Sequence, residues 1–484
     1  MSWIIPAWRL FGQELPVSRF ILLRLFLVLS GTLLAVAVLE RRYSVLTRFR
    51  NEKSTALNLA IARIAVAATL LWQIHLHEIL LATSLDPVLR VPFRIWGSLA
   101  SRLIAPPAIT TSVYAIFLVS TLCMLLGLFG RFAAAVTATS AVYLISPLFL
   151  YGKVDHLYHH LIFFSVICAV FPSTDALSAD VWIRSRTSGA LYKMGRQAGL
   201  SYGFAMRSLW LYVALSYYFP GLWKFSRGWL TWLSGNALED HIAFGGYGVS
   251  WNPLELWFLQ HRLAMSVSSS LVVCFELGFV FLILFPRLRP LAGLAGLAFH
   301  AAVYLVLGIT FVALATCYVI FFDWTAIFRL QTAPATGITS PANASWSARA
   351  VSLAGLGLMA LLGLFHVTDT WPISCFPTFD APNSPIKAEL SIQELDAGEP
   401  RDWPLTADPR LRAVYRRWYW LARQGIVSRS ATRPKVAALV QLWLQAHPEI
   451  HVHQIAVSVD RYRLLPLEQS RVRLSRHPKW RFAF

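Results

Sequence analysis

Long apolar runs recur from Phe20 to His366, each about as long as a helix that crosses a lipid bilayer, and they leave little room for another architecture. A bilayer core demands about 20 mostly apolar residues per helix, and backbone amides in hydrocarbon must be satisfied within the segment. The runs are Phe20–Leu39, Ala56–Leu81, Ile109–Phe129, Phe132–Leu150, His156–Phe171, Phe204–Leu222, Met265–Phe285, Leu291–Ile309, Phe311–Phe328 and Val351–His366. They predict an all-α polytopic membrane bundle of about nine or ten transmembrane helices. Short connectors, such as Phe285–Pro290 and Gly308–Thr310, imply antiparallel hairpins packed side by side. Composition agrees: 14% of residues are charged and 56% hydrophobic, whereas soluble domains carry about 25% charged residues. Met1–Arg19 is mixed, and the apolar run after it is long enough to remain as a span rather than serve as a cleaved signal.

The formal net charge of +19 does not point to nucleic acid. A nucleic-acid binder clusters its cations on one folded face with stacking aromatics, whereas these lie between apolar runs and in the tail. Arg41, Arg42, Arg48 and Arg50, the loop Arg184–Arg207, Arg287 with Arg289, and Arg329–Arg349 fall on one side of a ten-span arrangement. That side is expected to be cytoplasmic. The Lys224 loop and the C-terminal tail then face the periplasm or a lumen, and membrane lipid, including anionic lipid, is an expected partner.

The expected division is 1–55 for an N-terminal span and basic linker, 56–330 for the main transmembrane domain, 331–366 for a last span, and 367–484 for an extramembrane domain. The tail reads as small and α+β. Leu411, Val414, Tyr415, Trp418 and Leu421 recur at helical spacing. Thr432-Arg433-Pro434 looks like a cap opening a second helix through Leu444, and Ile450–Val459 reads as a strand.

Candidate chemistry begins at Tyr217–Gly235, YYFPGLWKFSRGWLTWLSG, which sets Lys224 on the border of an apolar run. A buried lysine is costly unless it finds a partner, and its neutral amine is a base and a nucleophile. The plainer reading is a snorkelling lysine beside an interfacial belt of Trp223, Trp229 and Trp232. Lys153–Leu161, KVDHLYHHL, offers Asp155, His156, His159 and His160 at helical spacings. It matches no recognised metal spacing, so an interfacial polar cluster or a proton-transfer role is expected and no metal is predicted. Glu276 and His300 stand inside apolar runs, where such groups pair together or line a cavity. His75, His77 and Glu78 read as a boundary cluster, His447, His451 and His453 as part of a solvated face, and Gly293 and Gly296 as sites of close helix packing. Cys123, Cys168, Cys274, Cys317 and Cys375 form no CxxC pair and suggest no disulfide framework.

Three stretches in order resemble the horizontally transferred transmembrane (HTTM) domain family, whose best-understood member is the vitamin K-dependent gamma-glutamyl carboxylase. Val154–Asp180 is similar to that family's Asn-Asn-His-Ser-Tyr stretch ending in Ser-x-Asp. Pro220–Trp229, PGLWKFSRGW, is similar to its Ala-Gly-x-Lys-Lys-Leu-x-x-x-Trp stretch, and Ala298–Trp324 to its Phe-His segment. The resemblance implies a bundle of about nine spans with the reaction on the luminal side. It implies that Lys224 is the base that deprotonates reduced vitamin K or another quinol, before oxygenation yields a stronger base and a protein glutamate is carboxylated. His156 and His300 match the family's histidines, and Trp223 and Trp229, with Glu276, are candidate walls of the quinol pocket. Val154-Asp155 replaces the asparagine pair, Trp223 replaces the first lysine, and the tail is shorter than the carboxylase's luminal region. The chain looks closer to the bacterial relatives, which implies a bacterial inner membrane; the charge pattern above is what puts the C-terminal domain on the non-cytoplasmic side.

Overall fold

The computed structural model describes residues 19–90, 93, 104–151, 154, 156–188, 198–245, 252–330, 344–368, 370–374, 386–394, 400–401, 433–449, 454–468 and 470–483. In chain order its main helices are α1 Arg19–Tyr43, α2 Ala56–Gln73, α3 Leu76–Ser84, α4 Pro107–Leu126, α5 Gly130–Ile145, α6 His159–Val170 and α7 Leu200–Trp223. They continue with α8 Asn236–Gly245, α9 Pro253–Gln260, α10 Arg262–Leu282, α11 Arg289–Leu307, α12 Val312–Cys317, α13 Trp346–Leu364 and α14 Arg433–Ala446.

Among the described residues, seven helices are long and apolar enough to cross a membrane: α1, α2, α4, α5 continued through the tight turn to Phe149, α10, α11 with the turn from Pro286 that leads into it, and α13. The other expected spans differ for identifiable reasons. Helix α6 has only 12 residues. Helix α12 stops at Cys317 and passes through a tight turn, Tyr318–Phe321, before the Asp323 side chain accepts hydrogen bonds from the Thr325 and Ala326 amides and starts a new turn. The run Ala56–Leu81 breaks at Ile74, whose backbone is extended. The carbonyls exposed by that break are met by the Tyr158 hydroxyl at Gln73 and the Tyr114 hydroxyl at Ile74, each at 3.2 Å.

Helix α7 has length enough, at 24 residues, but Arg207, Ser201, Ser208, Ser216 and four tyrosines dilute its hydropathy. It is nevertheless the most enclosed helix, buried on nearly every side and packed against α6, α10 and α13. Its hydroxyls donate back to their own helix, Ser208 to Phe204 O at 2.9 Å and Ser216 to Val213 O at 2.7 Å, which satisfies them without water. The contact with α10 depends on Gly221, where an added Cβ would lie 2.9 Å from Glu276 Cβ and 3.0 Å from the Leu277 amide nitrogen. On the outside, Phe26, Leu33 and Leu34 of α1 and Leu263 and Leu271 of α10 are exposed, as lipid-facing side chains are.

At one end of the bundle the basic groups converge. Arg289 donates to both carboxylate oxygens of Glu52 at 2.6 Å and lies 3.8 Å from the Trp210 ring centroid, and Arg207 donates to the Glu52 carbonyl. A two-residue ladder, β1 Ser54–Thr55 against β2 Ala198–Gly199, ties the start of α2 to the start of α7.

The C-terminal unit is a four-stranded antiparallel sheet of β3 Ile386–Glu394, β4 Pro400–Arg401, β5 Gln454–Leu465 and β6 Ser470–Ala483, in the order β4-β3-β5-β6. The expected strand at Ile450–Val459 runs on to Leu465, and residues 450–453 lie outside the described residues. The expected second helix appears as α14, while the Leu411–Leu421 stripe, Thr432, His451, His453 and Cys375 lie outside them. Val436, Leu439 and Trp443 of α14 share a core with Ile392, Val457, Val459 and Trp480 of the sheet. That core continues into Ala82, Leu85, Leu89 and Tyr151, so the sheet is seated on the bundle end opposite Glu52 and Arg289.

Candidate functional site

Helix α7 ends irregularly. Pro220 has no amide to give the Ser216 carbonyl, and after Trp223 the chain widens into a π-helical turn, Lys224–Gly228. Single π turns inside helices occur often at functional sites. Trp229 follows with φ of 36°, a strained value for a residue with a side chain. The next turn, Trp229–Leu233, folds back and sets the Trp232 ring centroid 5.0 Å from Lys224 Nζ, within cation–π range.

Lys224 is 2% exposed and Glu276 on α10 is 3% exposed. Lys224 Nζ donates to Glu276 Oε1, which makes a buried ion pair between the two helices. Stripping water from either charge costs several kcal/mol, on the order offset only by a partner in good geometry. Glu276 and His300, expected to pair together or to line a cavity, share a cavity but bond elsewhere. His300 Nε2 lies 2.8 Å from the Tyr217 hydroxyl, which in turn hydrogen-bonds the Tyr318 hydroxyl.

These groups converge on one cavity of about 800 Å³, its open mouth included. Ligand pockets commonly have apolar walls with a few placed polar groups, and this cavity has both. Ser216 and Tyr217 enter from α7, Lys224 from the π turn that follows it, Glu276 from α10, Phe299 and His300 from α11, His156 from just before α6 and His160 from its first turn. Glu276 Oε2, His300 Nδ1 and Trp232 Nε1 are buried with no hydrogen-bond partner among the described residues. Buried polar atoms are nearly always partnered, so three such atoms on residues lining one cavity mark it as a place for a polar ligand group or water.

The remaining candidates sit elsewhere. Trp223 is fully buried behind the cavity, where its Nε1 donates to Gly363 O at 2.8 Å and its ring meets His366 edge-on at 4.7 Å. Trp229 packs on Phe225 with the Arg24 guanidinium 5.0 Å from its centroid. Neither lines the cavity; Trp232 holds the wall beside Lys224. The KVDHLYHHL cluster splits: His156 and His160 face the cavity, whereas His159 Nε2 lies 3.3 Å from Thr370 O. Lys153 and Asp155 lie outside the described residues. His75 and His77 are exposed at the α2–α3 break. Among the described residues, no three His, Cys, Asp or Glu side chains are placed to share a metal ion.

Tyr217 and His241 also line the cavity, and neither is singled out by the sequence as a candidate for chemistry. Tyr217 stands seven residues before Lys224, two turns along one helix face, which was a readable signal. His241, on α8, carried none. No curated protein and no solved structure matches the chain. The HTTM domain matches residues 51–325, more than half of the 484, and that stretch runs from the Glu52 end of the bundle through every residue of the cavity wall: the chain belongs to the HTTM domain family.

Proposed function

We propose that this protein is an integral membrane enzyme of the vitamin K-dependent gamma-carboxylase type, in which Lys224 deprotonates a quinol held between helices. The observation that carries this reading is the buried Lys224–Glu276 pair on the wall of a cavity that also holds His156 and His300. A quinol head is flat and apolar with a hydroxyl at each end. What supports a quinol here is the set of rings on the wall, Phe299, Phe311 and Trp232, together with the unpartnered atoms Glu276 Oε2 and His300 Nδ1.

In this reading Glu276 takes the ammonium proton, leaving a neutral acid beside a neutral amine. Lys224 then removes a proton from the bound hydroxyl and becomes an ammonium again, next to the new oxyanion. Tyr217 holds His300 by its Nε2, so that Nδ1 remains to meet the far oxygen, and His156 closes the other wall. Oxygenation of the deprotonated quinol, followed by proton abstraction from a glutamate of a protein substrate and addition of CO₂, is the chemistry that the family resemblance brings. The basic end around Arg289 faces the cytoplasm of a bacterial inner membrane, and the cavity and C-terminal sheet face away from it. A second reading, a non-catalytic scaffold that holds a lipid or a partner, is favoured by the mostly apolar wall.

The test is incubation of the purified protein with reduced quinone, oxygen and labelled bicarbonate, scanning for quinone epoxide and incorporated carbon. Product from the wild type that a stably inserted Lys224→Met variant no longer makes supports the enzyme. Product unchanged in that variant removes Lys224 from the mechanism. No product, with a co-purifying lipid in the cavity, supports the scaffold.

A further inference from the structure

The β5–β6 hairpin reaches beyond the core of the C-terminal unit. Its inner part is closed around Asp460, which is wholly buried and accepts hydrogen bonds from Arg476, Ser391 and Tyr462. Arg473 on β6 lies opposite Tyr462 and belongs to the same cluster, 3.7 Å from Asp460. Past that point the character changes. Arg461 and Arg463 on β5 are exposed, and near them stand the exposed apolar side chains Val472 and Leu474, with Leu467 at the tip 60% exposed. Strand β6 is also an edge of the sheet.

The tip turn, Pro466–Glu468, packs against α9. Helix α9 is held to the end of α11 by Asn252, whose Nδ2 donates to Leu305 O at 3.1 Å. It exposes Leu254 and Trp257 and leads directly into Arg262 and Leu263 at the start of α10. Tyr304 and Leu305 of α11 and Leu263 of α10 are exposed on the lipid-facing belt. The hairpin tip is therefore continuous with the rim of that belt, where an apolar surface flanked by arginines and an amphipathic tryptophan matches the headgroup layer. A soluble acidic partner would use the arginines but not the continuity of Leu467 with Trp257 and the bundle rim.

We infer that the β5–β6 hairpin docks the C-terminal sheet onto phospholipids with net negative headgroups, with Leu467 entering the interface and Arg461 and Arg463 meeting the phosphates. The inference stands independently of the proposed reaction, because it concerns a surface apart from the Lys224 cavity.

The test is hydrogen–deuterium exchange of the full chain in nanodiscs of phosphatidylcholine alone and of phosphatidylcholine with phosphatidylglycerol. Exchange over residues 461–474 is expected to slow several-fold when the anionic lipid is present, while strand β3 is unchanged. In the Arg461→Gln/Arg463→Gln variant that slowing is expected to disappear, with β3 again serving as the check on folding. Equal exchange in the two bilayers overturns the inference. Protection that appears only when soluble polyglutamate is added to neutral nanodiscs also overturns it and assigns the surface to an acidic protein.

Discussion

Lys224 Nζ and Glu276 Oε1 are hydrogen-bonded across the α7–α10 contact, and both side chains are closed to solvent. Each charge depends on the other, because burial strips most of the solvation from a lone ion in that setting. Lys224→Met is expected to destabilise the bundle by about 3–5 kcal/mol, since it leaves Glu276 buried alone. The double variant Lys224→Met/Glu276→Leu is expected to recover most of that loss. Thermal unfolding of wild type, both single variants and the double variant in nanodiscs checks this; additive losses would mean that the pair is not coupled.

The pair forms only because two backbones approach closely. Gly221→Ala adds a Cβ 2.9 Å from Glu276 Cβ and 3.0 Å from a backbone nitrogen, and overpacking of that kind costs about 1–3 kcal/mol. Gly278→Ala on the same α10 meets nothing within 4 Å and is the matched control. Melting temperatures should fall for the first substitution and stay level for the second.

Much of this site was legible because charge inside hydrocarbon stands out. Lys224 at the edge of one apolar run and Glu276 and His300 within two others were visible as residues needing partners. Who pairs with whom was not visible. It depends on Gly221 letting α10 approach and on a π turn after Trp223, and neither leaves a periodic trace. Trp223 and Trp229 are sequence neighbours of Lys224, but the helix turns them away from the cavity, while Trp232 returns to it through the strained backbone at Trp229. The bundle was legible from the apolar runs; α6 and α12 came out short because a broken helix and an intact one have the same composition. In the tail, alternation found part of β5, but an edge strand such as β6, with arginines at Arg473, Arg476 and Arg481, has no apolar pattern to read.

At the opposite end, Arg289→Lys is expected to be more than a loss of shape. Lysine cannot give both Glu52 oxygens a hydrogen bond while lying flat on Trp210, as the guanidinium does at 2.6 Å and 3.8 Å. A charge-assisted bond is worth about 1.5–3 kcal/mol, so the variant should melt earlier than wild type. Indistinguishable melting would show that the Glu52 clamp is not a fixed part of the fold.

Asp460 gives the C-terminal sheet an acid limit. Burial alone pushes its carboxyl up, but hydrogen bonds from Arg476, Ser391 and Tyr462 and the Arg476 charge outweigh that and hold it below the ordinary aspartate range. A carboxyl lowered by folding stabilises the sheet at pH values above its unfolded value, and that contribution fades as pH falls through the folded one. Protection factors of the β5 and β6 amides, taken against intrinsic exchange at each pH, should therefore fall as the medium is made more acidic than the normal aspartate range. In Asp460→Asn the same region should exchange faster at neutral pH and show less change on acidification.

The most direct test of the account is whether the amine at the end of α7 takes a proton from a quinol. Anaerobic mixing of a reduced quinone with the protein in nanodiscs, followed by ultraviolet absorbance, reports the red-shifted band of the deprotonated hydroxyl. The account predicts that band with wild type and its absence with Lys224→Met, although the variant still binds the quinol. The same band from both proteins, or from neither while the quinol is bound, would contradict it.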